Sequence, residues 1–563
     1  MRQFSDVLRR ARRAGVLSVA LALTAAAGLG LAVPAAVHSP AQADSQPLDP
    51  SDPRTPVTVS AHALPTAQIN GVGWYQLVLG NTVYVVGSFS TARPAGARPR
   101  HQTVARKNIL AYDLRSGVLS RRFKPALNGQ AFALASSPDR SVLYVGGDFT
   151  SVNGAPARRI VALNARTGAR LTRFRAGANG TVRTIVARGG KVWFGGNFTA
   201  VNSRARQRLA AVRASDGKLL PWAPRANLRV HALVLSPDGG KLVVGGEFTR
   251  LNGSRRSGYG LGAVSSTTGA LRPFPTNHIV RNGGTRAAIT ALASDGHRVY
   301  GTGFVNRVGG NLEGAFASNW SNGRLRWLED CHGDSYGVYP SPTAVYVVGH
   351  PHNCRPVRGF GETTPRRYHR ALAFGKAVTQ TLRKSPHPHD VGFTGLPAPS
   401  LLVWFPELDI GTYTGQNQGP WAVAGNRDYV VLAGEFRHVN GRAQQGLTRF
   451  AVSARAPNRV GPQIRSWAFK PRLTSPAAGR VRISWRTNWD RDNGNLTYRI
   501  FRDRDPNPIH TTSHFSTFWR LPTLVWPDRR VAAGLHHYRV TAIDPFGNRV
   551  RSPWLKVRVA ATP

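Results

Sequence analysis

The residue types that most often do chemistry are concentrated in one stretch. Cys331, His332, His350, His352 and Cys354 supply two thiols and a set of imidazoles, the donors of a tetrahedral zinc site, with His350 and His352 projecting from the same strand face. The same two cysteines are the only ones in the chain. In an exported protein such a pair is expected to close a disulfide, Cys331 to Cys354, joining the strand pair of one blade, with the histidines in a flanking loop. The closed loop would then contribute ~3.5 kcal/mol through the entropy of the unfolded chain. His387, His389 and Asp390, in Pro-His-Pro-His-Asp, form a second histidine group, either a surface metal site or a solvated loop. The expectation for both groups is no metal, and for the chain no cofactor.

Acids are few, and their positions suggest two kinds of role. A polar residue precedes a recurring phenylalanine at Ser88, Asp148, Asn197, Glu247 and Glu435. Such a set could line a channel and hold a cation or a sugar. Recurrence at equivalent positions is also what a structural role demands, and that is the expectation. A glycosidase needs two carboxylates facing each other across a cleft, one with a raised pKa. Glu247, Asp334, Glu407, Asp409 and Glu435 are the candidates, and their spacing selects no pair, so the catalytic residues are unknown. Asp490, Asp492, Asn493 and Asn495 miss the spacing of a helix-loop-helix calcium loop and read as a polar turn. Phe518, Trp519 and Trp526, near Arg520, Arg529 and Arg530, suit stacking on sugars or on single-stranded nucleic acid, or the plainer task of completing a core or docking it. The sequence has no phosphate-binding loop, no nucleophile elbow, no dinucleotide fingerprint and no Cys-x-x-Cys pair.

The elements that would position these residues repeat. LYVGGDFTSVNG, residues 143–154, returns from Val192 and Leu242, with weaker copies from Val83, Val299 and Val430. A sixth copy places Pro351 where the phenylalanine should stand. Each unit reads as about four short strands joined by Asn-Gly, Ser-Pro-Asp and Thr-Gly turns, with no helical periodicity. The predicted fold is all-β: a seven-bladed β-propeller over 66–455, interrupted by an insertion at about 355–400. Six or eight blades, or a β-solenoid, are the alternatives. Residues 44–65 are a linker or a ring-closing strand, and 456–470 a second linker. Residues 471–563 carry alternating strands with Trp485 and Tyr538 placed as the core tryptophan and corner tyrosine of a fibronectin type III sandwich.

The ends and the charge suggest where the protein works. Residues 1–43 read as a signal peptide: Arg2, Arg9, Arg10, Arg12 and Arg13, an uncharged run from Gly15 to Val33, and Ala41-Gln42-Ala43 before a mature start near Asp44, with an uncleaved anchor as the alternative. No later run is apolar enough to span a membrane. Lys and Arg number 75 against 27 Asp and Glu, a net charge of +48. Only +4 of it lies in 1–43 and +10 in 471–563, so the excess is spread over the folded body. Such a surface attracts polyanions over a long range and does so less in salt.

The repeat unit resembles a family of secreted actinobacterial β-propellers whose blades read G-G-x-F-T-x-V-N-G and that often carry a C-terminal fibronectin type III, PKD or laminin-G-like module. The resemblance spans roughly residues 65–455, including Asp330-Cys331-His332-Gly333-Asp334 and the GTYTGQNQGPWAV segment before the final blade. It implies fold and export; it brings no reaction and no catalytic residues. The expected function is binding or adhesion at the cell envelope or outside the cell, without catalysis. The expected partners are anionic cell-wall polymer or polysaccharide, with nucleic acid bound only non-specifically. A glycan-active hydrolase or lyase, and a scaffold for another secreted protein, are the alternatives.

Overall fold

The computed structural model describes residues 44–384 and 392–561. Residues 1–43, expected as a signal peptide, and His387, His389 and Asp390 lie outside the described residues. Among those described there is no α-helix: beside strands stand only short 3-10 turns at Pro275–His278, Arg355–Val357 and Ser466–Phe469.

Among the described residues, seven antiparallel sheets with long first strands follow one another along the chain. Their first strands are Val72–Leu79, Ala131–Ser136, Val182–Arg188, Val230–Leu235, Ala287–Ser294, Ser335–Pro340 and Pro420–Gly425. Each first strand packs on that of the next sheet, and the last packs on the first. Sheets stacked face to face in a closed circuit make a β-propeller. The unit of three strands plus a short fourth differs from the expected four. In the first three sheets the fourth strand is a single bridge, such as Tyr112 to Leu119.

The repeated words of the sequence are explained by packing. In the Gly146-Gly147 pair, a Cβ on Gly146 would stand 2.5 Å from Val182 Cγ1 of the next sheet, and one on Gly147 would stand 2.3 Å from Gln130 O within its own. The pairs at Gly195-Gly196 and Gly245-Gly246 face the same two obstacles. Phe149, Phe198 and Phe248 are fully buried between sheets. Asn153 and Gly154 take the two positive φ angles of a hairpin turn, and Asn153 Oδ1 accepts the Ala126 N–H at 2.8 Å, a bond repeated by Asn202, Asn252 and Asn440.

The leader closes the ring. Val59 bridges Val452 and Leu64 bridges Arg449, so residues 59–64 form the outer edge of the seventh sheet. Arg449 is 2% exposed. Its guanidinium donates to Pro65 O (2.6 Å), Arg115 O (3.0 Å), Thr66 Oγ1 (3.2 Å) and Leu114 O, which ties the leader, the first sheet and the seventh together. The insertion at 355–400 is narrower than expected: Ala371–Gly375 within it is the third strand of the sixth sheet, paired with Ala344–Gly349.

The C-terminal unit has two sheets, one of three strands around Arg480–Arg486 and one of five around Asn495–Arg502 and Gly534–Ile543. Trp485, Tyr498 and Tyr538 fill its core. Phe518 and Trp519 dock it on the ring, packing on Phe360 and Phe405, while Trp526 stacks on His510 at 4.7 Å. Among the described residues no helix is long and apolar enough to cross a membrane.

Candidate functional site

A cavity of about 1090 Å³ is lined by the first strands of all seven sheets, and so runs along the ring axis. Each of those strands is irregular at one residue. The pairing register shifts across Gly73/Tyr75, Ala131/Ala133, Val182/Thr184, Val230/Ala232, Ile289/Ala291, Ser335/Gly337 and Pro420/Ala422. The residue left over in each is Trp74, Phe132, Arg183, His231, Thr290, Tyr336 and Trp421, and all seven line the cavity. A bulge leaves its extra residue without a cross-strand partner and re-aims the side chain. The repeated bulge thus frees one position per sheet from the packing rule that fixes the rest, and side-chain chemistry varies there.

Around the ring these residues form a continuous arc. Tyr336 and Trp421 lie 4.4 Å apart between ring centroids, Trp421 and Trp74 5.1 Å, and Trp74 and Phe132 5.9 Å. The guanidinium of Arg183 sits 4.4 Å over Phe132. Burial, with Arg229 next to it, pushes Arg183 down to about 10. Past it, Glu247 receives Arg229 at 2.9 Å and His231 Nε2 at 3.0 Å. Burial works to raise Glu247, but the His231 bond and the arginine charges outweigh it and hold this acid below its usual range. Burial depresses His231.

The opposite wall carries acids of the reverse character. Desolvation pushes Asp334 up to about 6, and it also raises Glu313, helped there by the charge of Asp334. The Tyr336 hydroxyl stands 3.2 Å from Asp334 Oδ2 and 3.3 Å from His350 Nδ1, and His350 Nδ1 lies 3.1 Å from Gln418 Oε1. Burial depresses His350 and pushes His352 down to about 4. The cavity therefore offers stacking faces, cations and acids with raised pKa on one surface.

The other sequence candidates divide. Cys331 and Cys354 are disulfide-bonded, which removes both thiols as zinc ligands. The bond does not join two strands of one sheet. It links the segment after Leu325–Glu329 of the fifth sheet to the loop after Ala344–Gly349 of the sixth. Converting both cysteines to serine should lower unfolding free energy by ~3.5 kcal/mol, read by denaturant unfolding against the oxidised protein. Of the five carboxylates, Glu247 and Asp334 reach the cavity. Glu407 pairs with Arg491 at 2.6 Å, Asp409 with His438 at 2.7 Å, and Glu435 accepts from Thr414 Oγ1 at 2.6 Å. Ser88 and Asp148 likewise bond neighbouring turns, through Tyr413 and Thr181. Glu313 and the seven bulge residues escaped the sequence reading, apart from the cavity's known histidines. No shared residue type marks these positions or their neighbours in the sequence, so nothing local could have found them.

No family model matches the chain, and no curated protein matches it. Among solved structures it is similar to the β-propeller domain of Cps50 (Swd1) from Myceliophteria thermophila, at 10% identity and a TM-score of 0.39, over 69% of this chain and 99% of that one. It is also similar to hydrazine synthase from Kuenenia stuttgartiensis, at 12% identity and a TM-score of 0.38, over 65% of this chain and 93% of that one.

Proposed function

We propose that the protein is an exported, seven-bladed propeller with a fibronectin type III-like arm, which binds an anionic oligosaccharide or polysaccharide end in its axial cavity. The observation that carries this reading is the arc of bulge residues: four contiguous aromatic faces ending on Arg183. Aromatic faces stack on the apolar faces of sugar rings, and Arg183 and Arg229 meet a carboxylate or sulfate. A volume of about 1090 Å³ is that of a site for a short oligosaccharide. The excess of basic residues gathers the polymer at long range, and the cavity selects among polymers. The arm's Tyr538 hydroxyl bonds Asp528 at 2.7 Å, a carboxylate in place of the backbone acceptor usual for that corner.

The test is calorimetry of the mature chain with uronate, sulfated and neutral oligosaccharides across salt concentrations. Binding of the charged sugars that weakens with salt and exceeds that of neutral ones supports the proposal. Equal affinity for neutral sugars, or none for any, removes it.

Asp334 makes the binding pH-dependent. Below about pH 6 it holds its proton, and above that it adds a negative charge to the cavity wall. Affinity for an anionic sugar should fall as pH rises from about 5 to about 7, and Asp334→Asn should flatten that profile. For folding the sign is the same. The folded form keeps a proton that the unfolded chain releases near the ordinary aspartate value of 3.8, so stability falls as pH rises from there to about 6.

Cleavage of the bound glycan is the second reading. Asp334 and Glu313, both raised and facing one cavity, favour it, since a glycosidase acid must carry a proton near neutral pH. Release of new sugar ends by the wild type, lost in Asp334→Asn with binding intact, would establish it.

A further inference from the structure

A second concave surface lies away from the ring axis. A cleft of about 640 Å³ opens between the linker that leaves the ring and the edge of the C-terminal unit. Arg459 and Arg465 line it from the linker, and Arg549 and Arg551 from the strand Arg549–Arg551. It shares no lining residue with the axial cavity.

Local structure fixes the two walls. Arg549 and Arg551 alternate with Val550 along one strand, so both leave the same face while Val550 packs on the core of the unit. That strand pairs with Gly534–Ile543 on one side only. The bond from Ser552 N–H to Val540 O sets the pairing at the even positions, which turns the N–H groups of Arg549 and Arg551 toward the open edge. The linker is held against the same hairpin. Asn548 Nδ2 donates to Asn458 O at 2.7 Å, and a Cβ on Gly461 would stand 2.6 Å from Asn548 Cβ. Further along, the Ile464 N–H donates to Asn488 Oδ1 at 2.9 Å.

Nothing in the chain answers the charge gathered there. No acid lines the cleft. Among the described residues none of the four arginines forms an ion pair. The arginines of the axial cavity differ: Arg183 lies over Phe132, and Arg229 and Arg366 pair with Glu247 and Glu362. Asp544, on the turn before the strand, is buried and commits its carboxylate to the Phe546 N–H at 3.0 Å and Asn548 Nδ2 at 2.6 Å. The uncompensated field reaches the neighbours. Burial, then the charges of Arg442 and Arg459, hold His62 below the usual histidine range, and burial and Arg551 lower Arg539.

We propose that this cleft binds a ligand carrying closely spaced phosphate or sulfate groups, held by Arg459, Arg465, Arg549 and Arg551. A guanidinium meets two oxygens of such a group at once, and its charge survives at any working pH. Four cations in one place call for several negative charges in one place, which a run of phosphates or sulfates supplies and a single carboxylate does not. The volume of about 640 Å³ likewise belongs to a site for more than one small ion. The C-terminal unit would thereby hold a polyanion of its own, whatever occupies the axial cavity.

The test is calorimetry of the mature chain with inorganic polyphosphate and, in parallel, a sulfated oligosaccharide. The variants are Arg549→Gln/Arg551→Gln, the exposed Arg504→Gln of the same unit, and Trp421→Ala in the axial cavity. Arg549→Gln/Arg551→Gln should raise the Kd for at least one of the two probes about tenfold or more and flatten its salt dependence, and that probe names the oxyanion. Arg504→Gln and Trp421→Ala should leave the Kd for the same probe as in wild type. Absence of binding by wild type overturns the proposal. An equal loss in Arg504→Gln, which marks diffuse surface charge, overturns it too. So does a loss in Trp421→Ala alone, which places the ligand in the axial cavity.

Discussion

Arg449→Met should destabilise the ring by about 2–4 kcal/mol and expose the leader to protease, while the same change at the exposed Arg173 should do neither. Two effects oppose each other. Methionine removes a buried cation, whose burial already lowers its pKa. It also strands the acceptors that this guanidinium satisfies: Pro65 O, Leu114 O, Arg115 O and Thr66 Oγ1. Each bond to a charged donor is worth about 1.5–3 kcal/mol, and unsatisfied buried carbonyls forfeit water as well as protein partners. The loss of several such bonds outweighs the relief of one desolvated charge. The location adds a kinetic consequence, since the leader strand is what closes the ring. Limited proteolysis near residues 59–64, compared with wild type by mass spectrometry, reads this directly. Unchanged stability together with an unchanged cleavage pattern would show that the leader is held by its strand bridges alone.

Trp421→Ala should raise the Kd for the anionic oligosaccharide by ~30-fold or more, the loss expected on truncating a central aromatic anchor. Trp421 stands in the middle of the arc, 4.4 Å from Tyr336 and 5.1 Å from Trp74. Its indole N–H also donates to Glu435 Oε1 at 3.2 Å, which fixes the ring plane. Truncation therefore removes one stacking face and loosens two more. Trp421→Phe keeps a face and loses the N–H bond, so it should fall between wild type and alanine. Trp526→Ala, far from the cavity in the C-terminal unit, should bind like wild type. Calorimetry with the oligosaccharide that binds wild type best separates these cases. Equal affinity of Trp421→Ala and wild type would place the sugar elsewhere than on the arc.

What could be read from the chain was what repeats locally. Gly146-Gly147, Phe149 and Asn153-Gly154 meet the same obstacles as their counterparts in the copies from Val192 and Leu242, so the sequence repeats them there and keeps them in part in the weaker copies. The disulfide was legible because only two cysteines exist to pair. The polar residue before each phenylalanine recurs in sequence but divides in space: Ser88, Asp148 and Glu435 bond neighbouring turns, while Glu247 lines the cavity.

The site itself depends on position in space. Trp74, Phe132, Arg183, His231, Thr290, Tyr336 and Trp421 look unrelated in sequence, since a bulge position carries no packing constraint and so no shared residue type. Only closure of the ring brings them to one axis. Asp490 and Asp492 read as a polar turn, because nothing local reveals that the leader, from the other end of the chain, helps to bury them. Sequence determined the repeated unit, because strand, turn and glycine clearance are short-range requirements. Tertiary structure decided which residues share a cavity and which acids lose their water, because both are set by contacts between distant parts of the chain.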